Sequence, residues 1–149
     1  MPARSPFELE PDEELRASAH ASFRGAAAVS ARATFALGSA RMRQRAYEEW
    51  RDAAEGVGFP TAGPEMALVV TNRRLLVCRT TFMLGRPSTV EGDLDLRRIA
   101  DVATTRHGAV TGLAFALLNG YIVEVEAMRG ARLRRFGESV REALGGRTP

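Results

Sequence analysis

The stretch GLAFALLNGYIVEVEA, residues 112–127, carries the clearest structural signal in the sequence. Two apolar runs flank Asn119-Gly120, the dipeptide preferred in two-residue β-hairpin turns. Such a turn predicts an antiparallel hairpin near the C-terminal end of the chain. On one of its faces the predicted cross-strand pairs are Leu118–Tyr121, Ala116–Val123 and Ala114–Val125.

In this register the first strand of the hairpin is apolar on both faces, whereas its partner is amphipathic. A strand of the first kind is usually covered on both sides. Phe115 would lie opposite the glutamates of the second strand and would need a cover. We expect that cover to be a helix from the N-terminal part of the chain or another subunit, so Phe115 is a candidate interface residue.

Shorter runs predict the rest of a sheet. Leu15–Phe23 alternates apolar and polar residues, which indicates a strand. In VVTNRRLLVCR, residues 69–79, two apolar runs flank a predicted turn at Asn72-Arg73. Gly56–Pro64 and Gly85-Arg86-Pro87 are predicted breaks. The further predicted strands are Met66–Thr71, Arg74–Thr80, Val90–Leu96 and Ile99–Thr105.

Gly25–Glu55 predicts a long helix with two apolar stripes. Thirty residues of helix span roughly 45 Å, whereas the rest of the chain predicts a body about 25–30 Å across. The helix must therefore break, at Gly38-Ser39, or overhang the sheet and meet a partner. The first stripe comprises Val29, Ala33, Leu37, Ala40, Tyr47 and Ala54. The second stripe comprises Phe35, Met42, Ala46 and Trp50. From the second stripe we take Phe35, Met42 and Trp50 as candidate interface residues.

Arg129–Leu144 predicts a closing amphipathic helix. Leu133, Phe136, Val140 and Leu144 recur at spacings of three and four, and Gly145-Gly146 ends the pattern. The predicted organisation is an extended acidic lead-in (1–14), a strand with a long helix packed on the sheet (15–55), a Gly/Pro linker (56–64), a barrel with its C-terminal helix (66–144), and a frayed tail (145–149).

Residues 66–144 resemble a bacterial pleckstrin-homology-like domain of the PH/GRAM type. The resemblance lies in the order VTNRRLLV, the break at Gly85-Arg86-Pro87, DLDLRRIADV with Leu96 and Ile99 in a "pLxxI" position, the LNG hairpin and the terminal helix. It implies an α+β fold: a strongly bent antiparallel sheet or barrel, capped by the C-terminal helix and elaborated by the long N-terminal helix.

The residues that usually carry chemistry are scarce in this sequence of 149 residues. Cys78 is the only cysteine, which excludes an internal disulfide, and it falls in a predicted strand as a small buried hydrophobe. His20 and His107 are the only histidines, and no metal-binding spacing occurs. We predict neither an enzyme nor a cofactor, metal ion or small-molecule substrate. The chain also lacks an apolar leader or span, which predicts a cytoplasmic protein.

Charge is unevenly distributed although the net charge is only +3. Residues 1–14 have a net charge of −4, whereas 24–45 and 129–141 carry +5 and +4. Nucleic-acid binding is not favoured, because Arg41, Arg43 and Arg45 spread around a helix. Arginines near the predicted Asn72-Arg73 turn are candidates for binding anionic lipid head groups, or they are ordinary solvated side chains, with Arg74 paired to an acid. These candidates are Arg73, Arg74, Arg79 and Arg86.

The sequence thus predicts a non-enzymatic interaction module. It would bind a protein partner or self-associate as a homo-oligomer through the long helix and a sheet edge. The alternative is a peripheral membrane module that binds anionic lipid through the hairpin arginines.

Overall fold

The computed structural model describes residues 8–32, 39–80, 87–128 and 130–145. Seven strands, three helices and a single 3-10 turn at Leu96–Arg98 lie in these ranges. The strands are β1 (Leu15–Phe23), β2 (Glu65–Thr71), β3 (Arg74–Thr80), β4 (Pro87–Asp95), β5 (Ile99–His107), β6 (Val110–Leu117) and β7 (Ile122–Met128). The helices are α1 (Ala26–Arg32), α2 (Ser39–Gly56) and α3 (Ala131–Gly145).

The strands form one antiparallel sheet in the order β4-β3-β2-β1-β7-β6-β5. β1 pairs with β2 over most of its length, but it meets β7 only through Ser22 and Phe23. The sheet therefore bends at this junction, and side chains from all seven strands reach one core. The predicted α+β class, a bent antiparallel sheet with a C-terminal helix, is confirmed.

α3 covers the concave side of the sheet, where it contacts β1, β5 and β6. Leu133, Phe136 and Val140 are buried in the common core, as their spacing predicts. Gly137 also faces the sheet, and a Cβ there would lie 2.6 Å from Cδ1 of Leu113. The absence of a side chain at this position therefore allows the helix to approach β6 closely.

The predicted register of the β6–β7 hairpin is wrong by one residue. Phe115 pairs with Val123, not Ala116 with Val123, and the loop contains three residues, 118–120. Leu117 N donates to Tyr121 O at 2.9 Å, and Gly120 has a φ of +91°. A left-handed glycine at the end of a three-residue loop adds one residue to the connection and shifts the pairing.

The shift exchanges the two faces of the hairpin, because side chains alternate along a strand. Leu113, Phe115 and Leu117 face the core, and the alanines between them face outward. Phe115 is fully buried, and its ring centroid lies 5.3 Å from that of Phe59, which follows α2. The chain itself therefore covers Phe115, which is not available to another subunit.

Within the predicted helical range Gly25–Glu55, the structure describes two helices, α1 and α2. The second helix begins at Ser39, the predicted break, while residues 33–38 lie outside the described ranges. An aromatic cluster is formed by Phe23, Tyr47 and Trp50. The ring centroids lie 5.8 Å apart for Phe23 and Tyr47, 6.2 Å for Tyr47 and Trp50, and 6.5 Å for Phe23 and Trp50. The predicted stripes separate Tyr47 from Trp50, but both side chains face the sheet, so one packed face of α2 includes members of both stripes.

The start of α1 is fixed by a carboxylate from β7. Glu126 is buried, and its Oε1 and Oε2 accept hydrogen bonds from Gly25 N at 2.7 Å and Ala27 N at 3.0 Å. Arg24 NH1 donates to the same carboxylate at 3.2 Å. The first turn of α1 has no acidic residue of its own, so this tertiary contact satisfies the amides that open the helix.

The corrected register can be tested by truncating Phe115. We expect Phe115→Ala to lower the free energy of unfolding by about 3–5 kcal/mol, because it opens a cavity beside Phe59 in the core. Tyr121→Ala, in the same hairpin but exposed, should change the free energy by no more than about 0.5 kcal/mol. Urea denaturation of both variants and the wild type measures the difference. Equal, small effects would contradict the burial of Phe115 beside Phe59 and, with it, the corrected register.

Candidate functional site

The turn between β2 and β3 is organised by the hydroxyl of Thr71. Its Oγ1 accepts hydrogen bonds from Arg73 N and Arg74 N, both at 3.0 Å. The same hydroxyl donates to Oε2 of Glu13 at 2.7 Å. Thr71 therefore fixes the backbone of the two predicted anion-binding arginines and links them to a carboxylate from the acidic segment before β1.

Arg74 is neutralised within the chain by two carboxylates. Its Nε and NH2 donate to Oε2 and Oε1 of Glu13 at 2.9 and 3.1 Å, and its NH1 donates to Asp93 at 2.8 Å. NH2 also donates to the backbone oxygen of Glu8 at 3.0 Å. The expectation that Arg74 pairs with an acid is confirmed, and its guanidinium is committed to internal partners.

The environment of Glu13 strongly favours its charged form. Burial raises the pKa of this carboxyl, but hydrogen bonds from Arg74, Thr71 and the backbone of Glu10 lower it by more. The resulting pKa is about 2, against an ordinary value of 4.5. The hydrogen bond to Glu13 raises the pKa of Arg74 above its ordinary range. Burial opposes this shift, and the hydrogen bond to Asp93 adds to it. The pair therefore stays charged at all physiological pH values.

Arg73 and Asn72 hold the rest of the acidic segment. Arg73 NH1 donates to Glu10 at 2.5 Å, and NH2 donates to Asp12. The side chain of Asn72 accepts from Glu14 N at 2.7 Å and donates to Asp12 O at 3.2 Å. The turn therefore binds the acidic segment that precedes β1. Arg73 is paired with two carboxylates of this segment and is also partly exposed to solvent.

The cleft beside this turn does not present a basic surface. It has a volume of 560 Å³ and is lined by Glu10, Glu13, Asp93 and Asp95, by Arg73, Arg74 and Arg97, and by Asn72. Four acidic residues against three arginines give this cleft no preference for an anion.

The structure does not bring all the predicted anion-binding arginines together. Arg79 lies in a second cleft, with Arg43 and Arg51, and its Nε donates to Glu91 at 2.7 Å. Arg86 lies outside the described residues. Arg73 and Arg74 are thus the only two of the four that the described structure places at one site.

The predicted interface residues also differ in their accessibility. Phe115 is buried, as described above, and Phe35 lies outside the described residues. Trp50 is partly buried and its Nε1 donates to Glu124 O at 2.9 Å, so it anchors α2 on β7. Met42, at 46% exposure, is the one candidate of this set that the described structure leaves open.

An exposed apolar cluster lies instead at the tip of the β6–β7 hairpin. Leu118, Tyr121 and Ile122 are 68%, 59% and 68% exposed. We call these three residues the hairpin tip. Sequence reasoning missed the hairpin tip because the two-residue register paired Ile122 with Leu117, on the face of Phe115, whereas the structure pairs Ile122 with Ala116, on the outer face. A third loop residue moves both Leu118 and Ile122 outward.

The hairpin tip is held firmly by its neighbours. Leu118 N donates to the backbone oxygen of Arg98 at 2.9 Å, and the side chain of Asn119 donates to Val57 O at 3.0 Å. Asn119 Oδ1 also accepts from Tyr121 N at 3.1 Å. Its apolar side chains are therefore presented by an ordered loop.

Residues with catalytic potential are placed as follows. Cys78 is fully buried, and burial raises the pKa of its thiol to about 11, so it is the small buried hydrophobe expected from the sequence. His107 Nε2 lies 3.9 Å from Glu124. Within the described ranges, no cluster of three His, Cys, Asp or Glu residues has a geometry suited to a metal ion. A separate point concerns the membrane: none of the described helices combines the length and apolarity needed to cross one.

Comparison with known proteins gives no family assignment. No family model matches the chain, and no curated protein matches it. Among solved structures it is similar to a DUF1696 family protein with a pleckstrin-homology domain from Shewanella loihica PV-4. The two share 12% identity and a TM-score of 0.38, over 65% of this chain and 92% of that one. Membership in the PH-like group therefore stays a prediction, and the fold description above rests on the chain's own strand order.

The Glu13–Arg74 contact predicts a specific dependence of stability on pH. The folded pKa of Glu13 lies below its unfolded value, so its contribution is present above about pH 4.5 and is lost as the pH falls toward 2. At about 1.4 kcal/mol per pKa unit, Glu13→Gln should cost about 3 kcal/mol at pH 7 and progressively less in acid.

Glu14→Gln is the matched control, because Glu14 is adjacent, carries the same charge and is largely exposed. Its effect on the free energy of unfolding should be small at every pH. Denaturant titrations between pH 2 and pH 7 measure both variants against the wild type. A Glu13→Gln cost that did not shrink with acidification would contradict the assigned role of the carboxylate.

Proposed function

We propose that this chain is a non-enzymatic interaction module that binds a protein partner, a second copy included, through the hairpin tip and the neighbouring sheet edge. The observation that carries the proposal is the exposure of Leu118, Tyr121 and Ile122 at one loop, while most large apolar side chains of the described chain are buried. Clustered apolar exposure of this kind is typical of interaction surfaces.

The energetics of the hairpin tip suit docking. Burying a leucine or isoleucine side chain contributes roughly 1.5–3 kcal/mol, and tyrosine adds area with a polar end. The loop is already ordered by its bonds to Arg98 and Val57, so binding should cost little additional conformational entropy. An ordered apolar tip therefore supports a binding role better than a purely structural one.

The two edges of the sheet are not equally suited to accept a further strand. β4 carries Glu91, Asp93 and Asp95, and acidic side chains on an edge discourage pairing. β5 carries Ala100 and Ala103 in its first half, both exposed. The hairpin tip adjoins the start of β5 through Leu118 and Arg98, so the two features form one continuous surface.

This proposal moves the interface away from the N-terminal helix. The aromatic side chains of α2 pack on the sheet, and Met42 is its one large exposed apolar side chain among the described residues. The lipid-binding alternative receives no support from the hairpin arginines, because Arg73 and Arg74 are occupied by the acidic lead-in. We therefore propose only the protein-interaction role.

Sedimentation-velocity centrifugation from 1 to 200 µM tests self-association, with wild type compared to Leu118→Ser/Ile122→Ser. We expect the wild type to form a dimer with increasing concentration and the double variant to remain a monomer. Met42→Ser, another exposed apolar position, is the control and should dimerise like the wild type.

If the wild type is monomeric throughout, the second-copy form of the proposal is rejected. Chemical cross-linking in lysate then compares the proteins captured by the wild type, by Leu118→Ser/Ile122→Ser (the tip variant) and by Met42→Ser. Partners retained by Met42→Ser but lost by the tip variant support a heterologous interface. Identical captures by all three chains would reject the hairpin tip as an interaction site.

A further inference from the structure

A group of arginines around the start of α3 has no acidic partner. All 18 acidic residues of the sequence lie in the described ranges, and most described arginines pair with one of them. In the described chain no acidic side chain lies within ion-pair distance of Arg106, Arg132, Arg134 or Arg135, and all four residues are exposed. We call these four residues the α3 basic face.

Two members of the α3 basic face flank a cleft. It has a volume of 290 Å³ and brings together the end of β5, the start of β6 and the first turn of α3. Its lining contains no acidic residue and comprises Thr104, Thr105, Arg106, Ala109, Thr111, Gly130, Ala131 and Arg134. The charge balance is therefore opposite to that of the cleft beside the β2–β3 turn.

The floor of this cleft is a close contact between two elements. A Cβ at Gly130 would collide with the side chain of Thr111, so the start of α3 can approach β6 only because this residue is glycine. Thr105 is engaged with Glu124 at 2.6 Å. Thr104 and Thr111 also line the cleft, and their hydroxyls make no hydrogen bond to another described residue.

We propose that the α3 basic face binds a short acidic segment of a partner protein. The charge of the face favours an anionic ligand, and its limited extent indicates a short one. Glu138 and Glu142 lie on the exposed side of α3 one and two turns further on, and Asp101 lies beyond them beside Arg141. A flat bilayer or a nucleic-acid duplex that covered the arginines would also meet these carboxylates, whereas a segment of a few residues would not.

The same chain shows how its arginines bind such a segment. At the β2–β3 turn, Arg73 and Arg74 hold Glu10 and Glu13, which flank a short turn of the acidic lead-in, at 2.5–3.1 Å. The geometry of Arg106 and Arg134 on either side of a cleft offers comparable guanidinium donors without an internal occupant. This inference concerns a surface distinct from the hairpin tip and does not depend on it.

Fluorescence anisotropy with the full chain tests the proposal. The probe is a fluorescein-labelled twelve-residue peptide of Glu, Asp, Ser and Gly, and the control peptide replaces each Glu and Asp by Gln and Asn. We expect saturable binding of the acidic peptide alone. Its dissociation constant should rise several-fold between 50 and 300 mM salt, because exposed charges are screened.

The variant Arg106→Gln/Arg134→Gln removes the two arginines that flank the cleft. The matched control Arg41→Gln/Arg45→Gln removes two other exposed arginines, from α2, and changes the net charge equally. We expect the first variant to weaken peptide binding at least five-fold and the second to weaken it less than two-fold. Circular dichroism verifies folding, and the single variants Arg106→Gln and Arg134→Gln, each expected to weaken binding, replace the test variant if it is unfolded.

Three results would overturn the proposal. One is the absence of peptide binding at 50 mM salt. The second is equal weakening by the test and control variants, which would indicate a response to net charge only. The third is tighter, cleft-dependent binding of a single-stranded oligonucleotide or of vesicles with 30% anionic lipid, which would assign the face to a nucleic acid or a membrane.

Discussion

The limited contact between β1 and β7 is the constraint on which the rest of the structure depends. β1 pairs with β2 along its length but shares only Ser22 and Phe23 with β7, so the two halves of the sheet separate and face each other. A sheet bent in this way needs material on its concave side, and α3 supplies it. Phe23 stands at the junction and is covered by Tyr47 and Trp50 of α2. The two helical layers are therefore consequences of one bend.

The beginning of β1 is fixed by charged contacts, whereas its end is fixed by apolar packing around Phe23. Asn72 and Arg74 hold the chain just before Leu15 through hydrogen bonds and an ion pair, and Glu13 is buried in the process. Burial of a carboxylate is unfavourable unless hydrogen bonds compensate for it, which three donors do here. The acidic lead-in is thus a structural part of the sheet, and this explains why the most conspicuous arginine pair in the sequence is not an open anion site.

Features that depend on local pattern were predictable from the sequence, and features that depend on distant contacts were not. The bounds of β1 and the buried face of α3 follow from residue spacing alone. The hairpin register does not, because a left-handed glycine fits both two- and three-residue loops, so the same Asn-Gly dipeptide is compatible with either. The pairing of Arg74 with Glu13 joins residues 61 positions apart, and no local rule connects them.

The two proposed surfaces lie at opposite ends of one strand. The hairpin tip follows Leu117 at the end of β6, while the cleft of the α3 basic face includes Thr111 near its start. At about 3.4 Å per residue, the eight residues of β6 separate the two surfaces by roughly 25 Å. An acidic segment of a few residues in the cleft would leave the tip uncovered. An apolar contact at the tip and a salt-sensitive contact at α3 can therefore be made at the same time, and each should respond to its own mutations without the other.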